Sequence, residues 1–129
     1  MHPAAEGYLG EIQAVDVRNG RTLWSQRYIS PMNTATLATA GGVVFAGDWD
    51  RHMYAYDAAT GKVLWQTRLP TSAQGFPITY AVRGKQYVAV PAGIGGGSWS
   101  TLIAPELRPD IRRPLGGNSI LVFALPGAR

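Results

Sequence analysis

Short runs of alternating apolar and polar residues follow one another along the chain, separated by glycine, proline and aspartate. A period of two residues predicts β-strands, and the residues between the runs are those that form tight turns. The predicted strands cover residues 8–17, 21–28, 35–40, 43–46, 52–56, 62–68, 76–82, 85–90 and 118–125. The pattern therefore predicts an all-β protein of antiparallel sheets.

One stretch of this pattern occurs twice, at residues 13–24 and 54–65. In each copy an aspartate ends a strand, where its carboxylate can accept hydrogen bonds from the turn amides that follow. A glycine then supplies the positive φ of a tight hairpin, and the next strand runs to a tryptophan that needs a neighbouring surface to cover it. The matched residues are Ala14 and Ala55, Asp16 and Asp57, Gly20 and Gly61, and Trp24 and Trp65, each pair 41 positions apart. Repeats of roughly 40 residues made of short strands are typical of β-propellers.

The repeated motif Ala-x-Asp-x-x-x-Gly-x-x-x-Trp resembles the tryptophan-docking motif of the pyrroloquinoline quinone (PQQ) repeat propellers, in which the tryptophan is wedged between adjacent blades. Residues 38–47, 76–80 and 84–90 extend the likeness. Together they resemble the C-terminal part of a PQQ-dependent alcohol dehydrogenase of the methanol/ethanol type. The resemblance covers nearly the whole chain and implies antiparallel four-stranded blades of a PQQ-type β-propeller.

This resemblance predicts one propeller segment over residues 1–129, with about two to three blades. We expect half a blade at residues 8–28, a complete blade at 35–68 and a partial blade at 76–125, which contains a long loop at 91–117. Closed propellers have about four to eight blades. The chain is therefore expected to be a fragment of a longer protein or a self-associating piece.

The net charge of +4 reflects a shortage of acidic residues more than a basic cluster. Only Arg108, Arg112 and Arg113 gather in one loop, so nucleic-acid binding has little support. A docking patch for an acidic electron-accepting protein is the alternative to a solvated loop there. The chain has no cysteine, which excludes disulfides and thiolate metal sites. No signal peptide is recognisable at the N-terminus, and no apolar stretch is long enough to span a bilayer.

Residues 93–99 read Gly-Ile-Gly-Gly-Gly-Ser-Trp. Consecutive glycines let main-chain amides approach a planar, anionic ligand closely, and an indole can cover its ring. In the dehydrogenases that the chain resembles, the matching segment lines the cofactor with a Gly-Gly-Trp run, which implies PQQ contacts from Gly95, Gly96, Gly97 and Trp99. The tryptophan arrives two positions late, so a plain flexible loop is the alternative.

A family position just ahead of residues 38–41, here Met32 or Asn33, also reaches towards the cofactor. Asn33 can donate and accept hydrogen bonds to quinone or carboxylate oxygens, and the alternative is an asparagine that caps a loop. Asp48 and Asp50 are too few for a calcium ion, which takes about six to eight oxygen ligands. They are predicted as hairpin-loop residues. His2 and His52, which lack a metal-ligand spacing, are predicted at the surface. No metal ligand and no catalytic residue is predicted in this chain.

The resemblance implies that the parent enzyme oxidises primary alcohols with PQQ, bound together with calcium or a lanthanide, and passes electrons to a cytochrome in the periplasm. The family's metal ligands and catalytic aspartate have no match here, so this chain alone is not expected to be catalytically competent. Its partners would be the remainder of the propeller or further copies of itself. The alternative is a cofactor-free PQQ-repeat scaffold for protein binding or self-assembly.

Overall fold

A computed structural model describes residues 3–94, 102–112, 114 and 116–125 of this protein. Within those residues the chain forms nine β-strands, a 3-10 turn at Pro3–Ala5 and one short helix. The strands are β1 (Gly10–Asp16), β2 (Arg21–Tyr28), β3 (Leu37–Ala38), β4 (Val43–Gly47), β5 (His52–Asp57), β6 (Val63–Arg68), β7 (Ile78–Val82), β8 (Lys85–Ala92) and β9 (Ser119–Ala124). The helix α1 is Ala104–Leu107. The predicted all-β fold is confirmed.

The strands form three antiparallel sheets in which consecutive strands are neighbours. The first sheet is β1-β2, the second is β3-β4-β5-β6 and the third is β7-β8-β9. The first two sheets carry a matching irregularity, because the strand register shifts after Ala14 in β1 and after Ala55 in β5. The sequence repeat is therefore also a structural repeat.

The repeated turns have the geometry that their residues predict. The Asp57 carboxylate accepts hydrogen bonds from the backbone amides of Ala59 (3.1 Å) and Thr60 (2.8 Å), and that of Asp16 accepts one from the Arg18 amide at 3.0 Å. The two repeat glycines have φ values of 71° and 72°, which an L side chain rarely adopts. Each turn is thus held by its own aspartate and glycine.

The central strand β5 divides the core into two parts. Tyr54 and Tyr56 pack towards the first sheet, in a cluster with Ile12 of β1. Met53 and Ala55 point to the opposite side and pack in a cluster that contains residues of the third sheet. Because successive side chains of a strand alternate between its faces, one strand supplies both interfaces.

The region between β8 and β9 is more ordered in its described part than the sequence suggests. Strand β8 continues to Ala92, two residues beyond the predicted strand, and α1 forms where a structureless connection was expected. Pro105, in the first turn of α1, fits a helix start because its missing N–H would have no intrahelical partner there. Ala104 and Ile111 are buried against Trp49. Among the described residues no helix has the length and apolar character needed to cross a membrane.

Candidate functional site

The connections at one end of the second and third sheets are built in the same way. The β2–β3 and β6–β7 connections hydrogen-bond to the ends of β4 and β8 through their backbones. In the first matched pair of bonds, Asn33 N donates to Gly47 O (2.9 Å) and Gln74 N donates to Pro91 O (3.1 Å). In the second matched pair, Trp49 N donates to Pro31 O (3.0 Å) and Gly93 N donates to Ser72 O (2.8 Å). The connection residues are 41 positions apart and the strand-end residues 44 apart. The structural repeat therefore extends into the loops, beyond the repeat that the sequence shows at residues 13–24 and 54–65.

These backbone hydrogen bonds identify which loop of the second sheet corresponds to the long connection after β8. Trp49 begins the short β4–β5 hairpin loop, and Gly93 holds the equivalent position after β8. The connection from Gly93 to Asn118 is thus an enlarged version of that hairpin loop, at the same end of the neighbouring sheet. It brings the start of the glycine-rich segment to the end of the sheets where Asn33 lies.

Asn33 joins the two loop systems. Its side-chain amide Nδ2 donates to Ala73 O at 2.8 Å, and Ala73 in turn bridges Ala92 at the end of β8. The neighbouring residue Thr34 bridges Gly75 across the same gap. A side chain held in this way has a fixed direction. The predicted contact between Asn33 and a cofactor is not tested by these bonds and stays a prediction.

The predicted cofactor residues Gly95, Gly96, Gly97 and Trp99 lie outside the described residues, but the base of their segment is described. Ile94 N donates to Asn118 Oδ1 at 3.1 Å, which ties the entry of the long connection to its exit. A β-carbon on Gly93 would crowd that same Asn118 oxygen, so a larger residue there would displace the side chain that ties the two ends together.

One polar side chain at this end of the sheets, that of Thr71, is fully buried, and its hydroxyl has no hydrogen-bond partner in the described part of the chain. A buried hydroxyl without a partner costs stability. The residues described contain no group of three or more His, Asp or Glu side chains that could hold a metal ion.

A buried polar cluster lies beside these loops, at the start of β5. Asp48 is only 2% exposed; its carboxylate accepts hydrogen bonds from the Tyr54 hydroxyl (3.0 Å) and the His52 amide (2.8 Å). His52 Nδ1 lies 3.4 Å from Asp48 Oδ2. Sequence reasoning missed this cluster, because it predicted Asp48 as an ordinary loop residue and His52 at the surface. The His52 side chain is only 25% exposed, since Tyr54 and Asp48 pack against it.

The protonation of this cluster is governed by burial. Burial raises the pKa of Asp48 above its ordinary value of 3.8, and the hydrogen bond from the His52 amide opposes that rise. Burial, reinforced by the nearby carboxylate of Asp48, also raises the pKa of Tyr54. The Tyr54 hydroxyl therefore stays protonated at neutral pH and acts as the donor to Asp48.

The two repeat tryptophans differ in their surroundings. Trp24 of β2 lies against the turn between β5 and β6: its indole Nε1 donates to Ala58 O at 2.9 Å, and a β-carbon on Gly61 would stand 2.5 Å from its ring. Trp65 contacts Phe123 of β9 edge to face, with ring centroids 5.3 Å apart, but remains 39% exposed. It lines an apolar groove of about 640 Å³ between the second and third sheets. The expected burial is thus found only in part for both tryptophans.

Comparison with known proteins agrees with these features. The family model described as the glucose/ethanol/alcohol dehydrogenase β-propeller domain (PQQ) matches residues 2–88. The chain is 42% identical over 125 residues to 1-butanol dehydrogenase (cytochrome c) of Thauera butanivorans, which covers 97% of this chain and 17% of that protein. It is 41% identical over 102 residues to methanol dehydrogenase [cytochrome c] subunit 1 of Methylobacterium organophilum, covering 74% of this chain and 16% of the relative.

Solved structures show the same likeness in three dimensions. The structure of quinohemoprotein alcohol dehydrogenase from Pseudomonas putida matches with a TM-score of 0.77 and 34% identity over 92% of this chain and 17% of that one. A europium-containing methanol dehydrogenase matches with a TM-score of 0.71 and 37% identity over 85% of this chain and 19% of that one. The chain thus spans less than a fifth of these relatives. It belongs to the PQQ β-propeller domain family of the alcohol dehydrogenases.

Proposed function

We propose that this chain is the C-terminal propeller segment of a PQQ-dependent alcohol dehydrogenase, which oxidises primary alcohols and passes the electrons to a cytochrome. The match of residues 2–88 to the PQQ propeller family carries this proposal. Two similar proteins, the butanol and methanol dehydrogenases, have cytochrome c in their names. The calcium or lanthanide ion and the catalytic residues would belong to other parts of the parent enzyme.

Within that enzyme the three sheets would be half a blade (8–28), a complete blade (35–68) and a partial blade (76–125, with its long loop at 91–117). Trp24 and Trp65 would be the docking tryptophans between blades. The contact of the Trp24 indole with Gly61 in the next sheet supports this role. Since the relatives are bacterial quinoprotein dehydrogenases, we further propose that the parent enzyme acts in the periplasm.

For the cofactor we propose contacts from Asn33, Gly95, Gly96, Gly97 and Trp99. The shared end of the sheets, at which Asn33 and the base of the glycine-rich segment both lie, supports this assignment. When bound, PQQ supplies the two-electron chemistry of alcohol oxidation. The residues of this chain would bind and orient it and would keep water from one side of the ring.

The proposal is tested by titrating the purified chain with PQQ and calcium while tryptophan fluorescence is followed. We expect saturable quenching that weakens in Asn33→Ala. The matched control is Asn19→Ala, in the exposed turn after β1, which should bind as the unchanged chain does. No saturable response in the unchanged chain would contradict a cofactor pocket in this segment.

A second candidate function, assembly without a cofactor, is favoured by one specific observation. The third sheet leaves large apolar side chains exposed, and a monomeric protein rarely leaves so many on one sheet. These residues are Ile78, Tyr80, Val82, Ile120 and Val122. The remainder of the propeller or a second copy of the chain would cover them. Gel filtration that gives one oligomeric species, together with no response to PQQ, would favour this scaffold function.

A further inference from the structure

Five aromatic rings form a continuous row between the first and second sheets. Tyr28 lies 4.9 Å from Tyr54 between ring centroids, and Tyr54 lies 5.8 Å from both Tyr56 and His52. Trp24 continues the row, 6.2 Å from Tyr56. Tyr54 is 6% exposed and Tyr56 is fully buried. Trp24 and Tyr28 are half-buried, so solvent reaches the row through these two rings.

The tyrosines in this row differ in what accepts their hydroxyl proton. The Tyr54 hydroxyl donates to the buried carboxylate of Asp48. The Tyr56 hydroxyl donates to the Tyr28 hydroxyl at 2.9 Å, and a phenol is a poor base. Of the three tyrosines in the row, Tyr54 is therefore the one whose hydroxyl donates to a carboxylate.

This difference matters if the row is oxidised. A tyrosine that loses one electron becomes a strongly acidic radical cation, and a positive charge left in a buried, weakly polar seam is costly. Transfer of the hydroxyl proton to a group already in hydrogen-bond contact removes that charge. Burial, which raises the pKa of Asp48, also makes its carboxylate a better proton acceptor.

The geometry points to Tyr54 as a redox-active tyrosine, with Asp48 as its proton acceptor. A one-electron oxidant takes one electron from the row at Trp24 or Tyr28, and the oxidising equivalent moves to Tyr54. The Tyr54 O–H bond breaks, its proton passes to Asp48 Oδ2, and a neutral phenoxyl radical and a neutral carboxylic acid result. The oxidant is reduced by one electron. A one-electron reductant reverses the step, and Asp48 returns the proton.

The test uses the whole chain without PQQ, so that its outcome is separate from that of the cofactor titration. A ruthenium(III) polypyridyl complex, generated by a light flash, serves as the one-electron oxidant. Samples are frozen after increasing delays and measured by electron paramagnetic resonance. We expect a long-lived tyrosyl signal in the unchanged chain, because a radical on buried Tyr54 is protected from coupling with radicals on other molecules.

Three variants assign the signal. Tyr54→Phe should abolish it, and Asp48→Asn, which keeps a polar side chain but no base, should slow its formation about 100-fold. The matched control is Tyr56→Phe, which removes a buried hydroxyl from the same strand and should leave the signal in place. Circular dichroism and thermal unfolding establish that each variant is folded. A long-lived signal that survives in Tyr54→Phe, or forms at an unchanged rate in Asp48→Asn, would overturn the assignment.

Discussion

Arg51, at the tip of the β4–β5 hairpin, holds a backbone conformation that suits glycine. Its φ is +72°, in the left-handed region where a β-carbon crowds the following carbonyl. Its guanidinium Nε is also buried without a hydrogen-bond partner in the described part of the chain.

We therefore expect Arg51→Gly to stabilise the protein. Removing the strain contributes more than the added freedom of the unfolded chain costs, so the free energy of unfolding should rise by about 0.5–1 kcal/mol. Urea denaturation measures the change. Arg51→Ala is the control, because it removes the same side chain but keeps a β-carbon in the strained conformation. An equal gain in both variants would show that the backbone is not the cause.

Asp48 predicts a dependence of stability on pH. Because its pKa is raised in the folded protein, folding favours the protonated form, and the stabilisation is fully present below the unfolded pKa of about 3.8. It is lost as the pH rises through the folded pKa. Asp48→Asn keeps a side chain that can hydrogen-bond both His52 N and the Tyr54 hydroxyl without the buried charge.

Asp48→Asn should therefore be more stable than the unchanged chain at pH 7, by about 1 kcal/mol. The gain should shrink as the pH falls towards 4. Denaturation midpoints of both proteins across this pH range check the expectation. Side-chain hydrogen bonds from Arg18 and Thr60 lower the pKa values of Asp16 and Asp57, which are half-buried, so their effect has the opposite sign. Taking the difference between the two proteins cancels it. A gain that grows on acidification would contradict a buried, destabilising charge.

At the scale of elements, the joint between the first and second sheets depends on the glycine that Trp24 covers. Gly61 and Gly20 have nearly equal φ values, +72° and +71°, but only Gly61 faces an indole. Gly61→Ala should cost about 3 kcal/mol, from backbone strain together with displacement of Trp24. Gly20→Ala, whose β-carbon meets open space, should cost only about 1 kcal/mol from strain.

The pair of alanine variants isolates the contact between the sheets. Thermal unfolding gives the two costs, and the tryptophan fluorescence of Gly61→Ala compared with that of Gly20→Ala reports whether the Trp24 indole has moved. Equal costs and unchanged fluorescence would mean that the Trp24 contact contributes nothing to the joint between the sheets.

Elements that depend on local chemistry could be predicted from the sequence. The repeat turns follow from an aspartate and a glycine a few positions apart, and strands β2 and β6 end where their alternation ends. The burial of Trp49 could not be predicted in this way, because this side chain is covered by α1 and Ile111, more than 50 positions further along the chain. A residue that reads as an exposed hairpin loop becomes core when a distant segment folds over it. Of the candidate site, only Asn33 can be compared with the structure, and its cofactor contact stays a prediction.

At the scale of the whole molecule, the second sheet should be the most stable unit. Strands β4 and β5 lie inside a four-stranded sheet, and the buried residues of β5 contact both neighbouring sheets. Backbone amides exchange slowly where such burial on both faces must be undone before solvent can enter. The first sheet has only two strands and should open with a smaller free energy.

Hydrogen exchange followed by mass spectrometry checks this ordering. We expect the amides of β4 and β5 to exchange last and those of β1 and β2 to exchange earlier. Equal protection in the first and second sheets would indicate that the chain opens in a single cooperative step instead.

The joints between loops and strand ends in the second and third sheets are made by backbone amides and carbonyls, such as Asn33 N to Gly47 O and Gln74 N to Pro91 O. The hydrogen bonds of such a joint survive a change of side chain wherever a β-carbon has room; the exceptions are Gly47, where it would crowd Ala73, and Gly93, where it would crowd Asn118. Evolution can therefore exchange the side chains at this end of the sheets, or lengthen one loop as after β8, without loosening the frame that carries them. Sheets joined through backbone hydrogen bonds can therefore acquire new chemistry by replacement of one side chain at a time.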